Sequence, residues 1–207
     1  MLELQAENAH NINLVTPDHY LIPIKEALLK AKSSGLNIPV VYNTSSYVKA
    51  SSLKSMKGLI DIYLPDFKYF DDNLADTYSN ARGYKDIATE AIDEMLNQLG
   101  DPVFEDGLIK KGVIIRHMIL PGHTKDSCKV LSHLHERYGN HVYISIMNQY
   151  TPLPHVENYP EINRKVTDRE YNKVLNYAID IGIINGFFQD GKTQECSFIP
   201  EFDYRGI

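Results

Sequence analysis

Four apolar runs of strand length in this chain each end abruptly in polar residues, and helix-like sequence follows each one. The breaks run from Asn43 to Ser46, from Pro65 to Lys68, from Arg116 through Pro121, Gly122 and His123, and from Asn148 to Tyr150. Strand, polar tip and helix in repetition specify parallel strands whose C-terminal ends share one face. In α/β barrels that face carries the chemistry, because its loops vary without disturbing the core.

The strand candidates are residues 11–15, 38–42, 59–64, 112–120 and 142–147, with a weaker one at 183–188. Good helices lie between them. Tyr84, Ile87, Ala88, Ala91, Ile92, Met95, Leu96 and Leu99 recur at three- and four-residue spacing, and Gly100 and Pro102 end that stripe. Cys128, Leu131, Leu134 or His135, and Tyr138 form a shorter stripe closed by Gly139. Thr167 and Glu170 form a capping box, with Tyr171, Val174, Leu175, Ala178 and Ile179 as the expected buried face. Thr16 and Pro17 read as an N-cap followed by proline. Pro23 then predicts a turn before a helix at residues 24–33.

Parallel pairing with right-handed crossovers leaves two architectures, an open doubly wound sheet or part of a barrel. A nucleotide-binding open sheet would carry G-x-G-x-x-G after its first strand. Here that strand runs into Val15, Thr16, Pro17 and Asp18, where proline removes an amide and bulky side chains block phosphate approach. A partial barrel in a single domain, residues 1–207, is the expectation. Residues 1–5 read as the tail of a helix feeding the first strand, so the chain is expected to lack its natural N-terminal part.

Composition narrows the partners. The net charge is −6 and the Lys and Arg residues are scattered, so no basic stripe points to nucleic acid. No apolar run approaches the roughly 20 residues of a membrane span. Two cysteines, Cys128 and Cys196, stand far apart without a CxxC partner, which suits a reducing, cytoplasmic setting rather than a disulfide framework. His133 and His135 have the wrong helical spacing to share a ligand, and no metal site is expected from the eight histidines.

Six segments carry a family resemblance: residues 10–17 (HNINLVTP), 38–45 (IPVVYNTS), 61–69 (DIYLPDFKY), 115–123 (IRHMILPGH), 147–152 (MNQYTP) and 159–164 (YPEINR). In order and spacing they resemble the radical S-adenosylmethionine superfamily, in particular its pyruvate formate-lyase activating enzyme-like group. The resemblance implies an α/β fold, a partial (β/α)6 TIM-like barrel of parallel strands kept from the second strand onward. The family's CxxxCxxC loop, whose thiolates hold a [4Fe-4S] cluster, is absent. Such enzymes cleave S-adenosylmethionine reductively and abstract a hydrogen atom, in activating enzymes from a protein or peptide partner. The cluster is therefore expected only in a complete protein, with this chain inactive alone.

The candidate residues each have a plainer alternative. Asp66 and Lys68, two apart past a strand, point to one side. The resemblance puts Lys68 near the cofactor carboxylate, with Asp66 placing it; the alternative is a surface ion pair. Arg116 interrupts an apolar strand, where an unpaired charge is costly; the resemblance puts it beside the substrate, while a structural Arg–carboxylate pair is the alternative. Asn43, Thr44 and Ser45 can hydrogen-bond the cofactor or cap a helix, and Ser46 stands where relatives carry glycine. Thr16 falls where the family's cofactor-binding backbone lies, and capping explains it too. Asn13 would face the lumen, as cofactor contact or core amide, and Gln149 ends the fifth strand as a further cofactor candidate. His117 points away from Arg116, and His123 could reach the mouth of the site.

Two other functions compete. A class I lyase would use Lys68 as a Schiff base, although a neighbouring Asp66 favours the charged ammonium over the nucleophilic amine. A non-catalytic barrel remnant would pair with a partner chain supplying the missing N-terminal part.

Overall fold

The alternating pattern is realised as strands separated by helices in the computed structural model, which describes residues 1–188. The order is α1 (Leu2–Ala6), β1 (Ile12–Val15), α2 (Leu21–Ser33), β2 (Val40–Thr44), α3 (Ala50–Lys54), β3 (Ile62–Pro65), α4 (Asp72–Ser79), α5 (Tyr84–Leu99), β4 (Val103–Glu105), β5 (Leu108–Met118), α6 (Thr124–Tyr138), β6 (Tyr143–Met147), α7 (Asp168–Asp180) and β7 (Gly186–Phe188). Short 3₁₀ turns lie at Pro17–His19 and Pro154–Val156. The strands pair in parallel in the order β1-β2-β3-β5-β6-β7, each neighbour reached by a helical crossover, as in a partial TIM-like barrel. Among the described residues no helix is long and apolar enough to cross a membrane. Cys196 lies outside them.

The two faces of the sheet differ sharply. Tyr42, Tyr63, Val113, Ile115, His117, Ile144 and Ile146 alternate onto one face and are almost completely buried. Each large apolar side chain so placed contributes about 1.5–3 kcal/mol. The register puts Asn13, Val41, Asn43, Leu64, Arg116, Met118, Ser145 and Met147 on the other face. Val41 and Ile62 fill its lower part, while Asn43, Leu64, Arg116, Met118 and Met147 stay half-exposed toward the C-terminal ends. The barrel interior is thus packed at the bottom and open at the top.

Several local expectations are corrected. α2 begins at Leu21 and runs through Pro23; proline in a first turn costs no hydrogen bond, because those amides have no intrahelical acceptor. Thr16 makes no side-chain cap and adopts φ +51°. Asp18 instead holds the turn, accepting hydrogen bonds from the Tyr42 hydroxyl at 2.9 Å and the Thr44 hydroxyl at 2.9 Å. Ile179 is 64% exposed, so the buried face of α7 is Tyr171, Val174 and Ala178. The capping box of Thr167 and Glu170 forms as expected.

β4 was not anticipated. It pairs antiparallel with β5 across Asp106 and Gly107, both at positive φ. Asp-Gly in a two-residue turn is a strong hairpin signal, although the apolar run that follows it reads as a strand by itself. Gly112, within β5, has φ +136°, and a Cβ there would lie 2.8 Å from Pro102 Cα, so no other residue fits.

Candidate functional site

β3 does not stop cleanly at Pro65. The Asp66 amide donates to Thr44 O at 2.9 Å and the Phe67 amide to Arg116 O at 2.8 Å, so both neighbouring strands hold the continuation. His117 Nδ1 donates to Phe67 O at 2.8 Å. The buried Tyr84 hydroxyl lies 2.9 Å from Ser45 O and 2.9 Å from Asp66 O, sharing one proton between them, and accepts the Lys68 amide at 3.0 Å. Asp126 then receives the Phe70 amide at 3.1 Å and the Asp71 amide at 2.9 Å. Every one of these contacts fixes backbone, so Asp66 and Lys68 are aimed by the sheet and helices rather than by their own rotamers alone.

Alternation past β3 sends Phe67 into the core, fully buried, and Asp66 and Lys68 to the open face. There Asp66 Oδ1 accepts from Arg116 Nε at 2.9 Å and lies 2.6 Å from Nη2 in an ion pair. Arg116 Nη2 also donates to Asn43 Oδ1 at 2.6 Å. The Lys68 ammonium lies 3.8 Å from Asp66 Oδ2. Side-chain exposures of 25% for Arg116, 19% for Asp66 and 39% for Lys68 grade the cluster from sheltered to open. With two cations and one carboxylate it carries one surplus positive charge.

This cluster is one end of a cleft of about 500 Å3 that also takes in Tyr69, Tyr78, Gln149 and Tyr150. The rest of its lining is apolar: Met118, Leu120 and Met147 at the sheet ends, and Leu153, Val156 and Ile162 from the segment after β6. That segment is tied to α4. The Tyr78 hydroxyl donates to Glu161 Oε1 at 2.6 Å, and its ring meets Tyr159 edge-on at 5.3 Å. His123 Nε2 lies 2.9 Å from the same hydroxyl. Burial and the Glu161 carboxylate push the Tyr78 phenol above its ordinary range, while the phenol's hydrogen bond lowers Glu161. At the base, Glu170 accepts from Arg164 at 2.7 Å and 2.8 Å and from the Gly122 amide at 2.7 Å.

The sequence candidates therefore divide. Asp66, Lys68, Arg116 and Gln149 line the cleft together, and Asn43 joins them through Arg116. Asn13 shares the open face but is exposed at the edge strand, outside the cleft lining. The Thr16 amide is tied to Asn43 O at 2.8 Å. The Ser45 hydroxyl accepts from the Tyr47 amide at 3.4 Å. Ser46, standing where a glycine was anticipated, does adopt a left-handed φ of +65°. His123 reaches the mouth only through Tyr78. Sequence reasoning missed Tyr78, Tyr84 and the whole apolar wall; for Tyr84 the helical stripe marked burial but carried no sign of what its hydroxyl would meet.

A cluster of iron and sulfide needs several thiolates, and the residues here do not fit one. Cys128 sits on α6 with its thiol pushed up by burial, and no group of three metal-ligating side chains occurs among the described residues. The surplus positive charge beside amide and carboxylate acceptors does suit a ligand bearing a carboxylate and an amine.

No family model matches the chain. A curated relative, uncharacterized protein MJ0674 of Methanocaldococcus jannaschii, is 31% identical over 183 residues, covering 86% of this chain and 48% of that protein. The chain spans about half the length of the curated relative it matches. Among solved structures it is similar to a domain of pyruvate-formate lyase-activating enzyme from Bacteroides vulgatus, with TM-score 0.61 and 11% identity over 87% of this chain and 98% of that one. It is also similar to Streptococcus suis SuiB bound to precursor peptide SuiA, with TM-score 0.57 and 15% identity over 91% of this chain and 40% of that one. SuiB bound to S-adenosylmethionine gives TM-score 0.54 and 16% identity over 87% and 39%. These likenesses establish the fold.

Proposed function

We propose that this chain is the S-adenosylmethionine- and substrate-binding portion of a radical S-adenosylmethionine enzyme of the glycyl-radical activase type. The observation that carries this reading is the gathering of Asp66, Lys68 and Arg116 in one cleft at the C-terminal ends of parallel strands. The six motif segments and the fold of the structural neighbours support it. The Lys68 ammonium is a compact charge suited to the methionyl carboxylate, and the Asp66 carboxylate 3.8 Å away helps place it. Asn43 and Gln149 offer amides to the remaining polar groups, and Arg116, locked by Asp66 and Asn43, faces the substrate side. In a complete enzyme the bound cofactor supplies the group that abstracts hydrogen; the residues described here bind, orient and shelter. These residues do not fit an iron–sulfur cluster and supply no means of cleaving the cofactor, so the chain alone is expected to be inactive.

Equilibrium dialysis with labelled S-adenosylmethionine tests the reading. The wild-type chain should bind the cofactor, Lys68→Met should weaken binding at least about tenfold, and anaerobic incubation with iron and sulfide should yield no stable cluster. Absence of binding, or borohydride trapping of a carbonyl compound on Lys68, would overturn it. The Schiff-base alternative is disfavoured by the carboxylate 3.8 Å from the Lys68 nitrogen.

A further inference from the structure

Charge and shape divide the cleft into two unlike halves. The floor of Asp66, Lys68 and Arg116 carries one surplus positive charge, enough for a single carboxylate and insufficient for a di- or triphosphate. The rest of the lining is an apolar wall: Met118, Leu120 and Met147 continue the Arg116 face toward and past the strand ends, Leu153, Val156 and Ile162 come from residues 151–162, and none of the six is charged. Burying a charge there would cost far more than burying an alkyl or aromatic group returns. The two thioethers are adaptable fillers that accept side chains of differing shape. The polar groups beside that wall, Gln149, Thr151 and Tyr150, are uncharged and match amide donors and acceptors better than phosphate oxygens.

The wall is also a constructed surface. Tyr78, from α4, holds residues 159–161 through the 2.6 Å hydrogen bond to Glu161 and the ring contact with Tyr159. Glu170, at the start of α7, fixes Gly122 and Arg164 on either side. These ties span elements up to 83 residues apart and hold residues 159–161 against α4 at the cleft.

We infer that this wall is a specificity subsite for an uncharged apolar side chain, presented by a peptide substrate beside the cofactor's methionyl end. The inference rests on the functional reading above and adds what the second half of the cleft selects. It excludes phosphorylated and strongly charged substrate groups from that half.

The chain contains no tryptophan, so the fluorescence of a blocked pentapeptide with tryptophan flanked by glycines reports its binding directly. Competition by the same glycine peptide carrying leucine, lysine, glutamate or phosphoserine ranks the side chains. Leucine should compete roughly tenfold or more better than the charged peptides, the range expected for one buried apolar side chain. Leu153→Glu should remove that preference; Leu153 is 45% exposed, so the substitution leaves the core intact, and a melting curve checks folding. Met147→Glu gives an independent arm from the sheet side. Cofactor binding, measured by dialysis on the same preparations, should survive Leu153→Glu. Equal competition by leucine and glutamate, preference for phosphoserine, no peptide binding, or an unchanged ranking in Leu153→Glu would each overturn the subsite while dialysis still reports on the cofactor reading. Loss of cofactor binding in the wild type would instead strike the reading beneath it.

Discussion

The Tyr84 hydroxyl lies 2.9 Å from the carbonyl oxygen of Asp66, on the far side of the sheet from the Asp66 carboxylate that meets Arg116. One residue is thus held from behind by a buried phenol and used from in front by the cleft. Burial raises the Tyr84 phenol well above its ordinary range, so it remains a proton donor at every accessible pH.

Tyr84→Phe removes that donor while keeping the ring that packs on Phe67 and Tyr69. It leaves the Lys68 amide and two carbonyls short of a partner, a loss of about 1–3 kcal/mol. Urea unfolding should show this loss, and cofactor dialysis should show weaker binding although Tyr84 does not line the cleft.

Arg116→Ala leaves Asp66 without its strongest partner in a sheltered position. Because both side chains keep some exposure, the stability cost should be about 1–3 kcal/mol, below that of a fully buried broken pair. Arg116→Lys should restore part of the stability but not the simultaneous contact to Asp66 and Asn43, which needs the guanidinium fork. Denaturant midpoints for the two variants check the order.

His117 is completely buried, and burial lowers its pKa to about 4. Its folded-state value lies below the unfolded one, so the unfolded chain binds the proton more readily. Stability should therefore be full above about pH 6.5 and decline as pH falls from there toward 4. His117→Leu should flatten that part of the profile, at the cost of the hydrogen bond to Phe67 O. Urea midpoints across this pH range, with the imidazole signal followed by NMR, provide the measurement.

Glu170 acts in a lower window. Hydrogen bonds from Arg164, Thr167 and Gly122 hold its carboxyl well below the usual range. Its contribution is fully present above the ordinary Glu value of about 4.3 and is lost as pH falls below it. Glu170→Gln should destabilise the chain at neutral pH, and the gap to wild type should close in acid. Comparing the two unfolding profiles below pH 4.3 distinguishes this step from that of His117.

The parallel strands were legible because each apolar run is bounded by polar residues, and burial on both faces at the bottom of the sheet demands such runs. The stripe of α5 was equally plain: of its eight predicted members Tyr84, Ala88, Ala91, Ile92, Met95 and Leu99 are buried, while Ile87 and Leu96 are partly exposed. Asp66 and Lys68 on one side followed from the two-residue period. The Asp106–Gly107 hairpin is written in the sequence as a local turn signal, whereas the start of α2 through Pro23 depended on which amides lacked acceptors.

What the sequence determined by itself is periodic and local: which residues enter strands and helices, which alternate to the core, and that Arg116 within an apolar strand requires a partner. Tertiary structure alone decided who that partner is, that Tyr84 braces three backbone groups from behind, and that Tyr78 holds residues 159–161 at the cleft. Those relationships join residues 16 to 83 positions apart. Contacts at such separations depend on how whole elements pack, and no repeat of two or 3.6 residues encodes them.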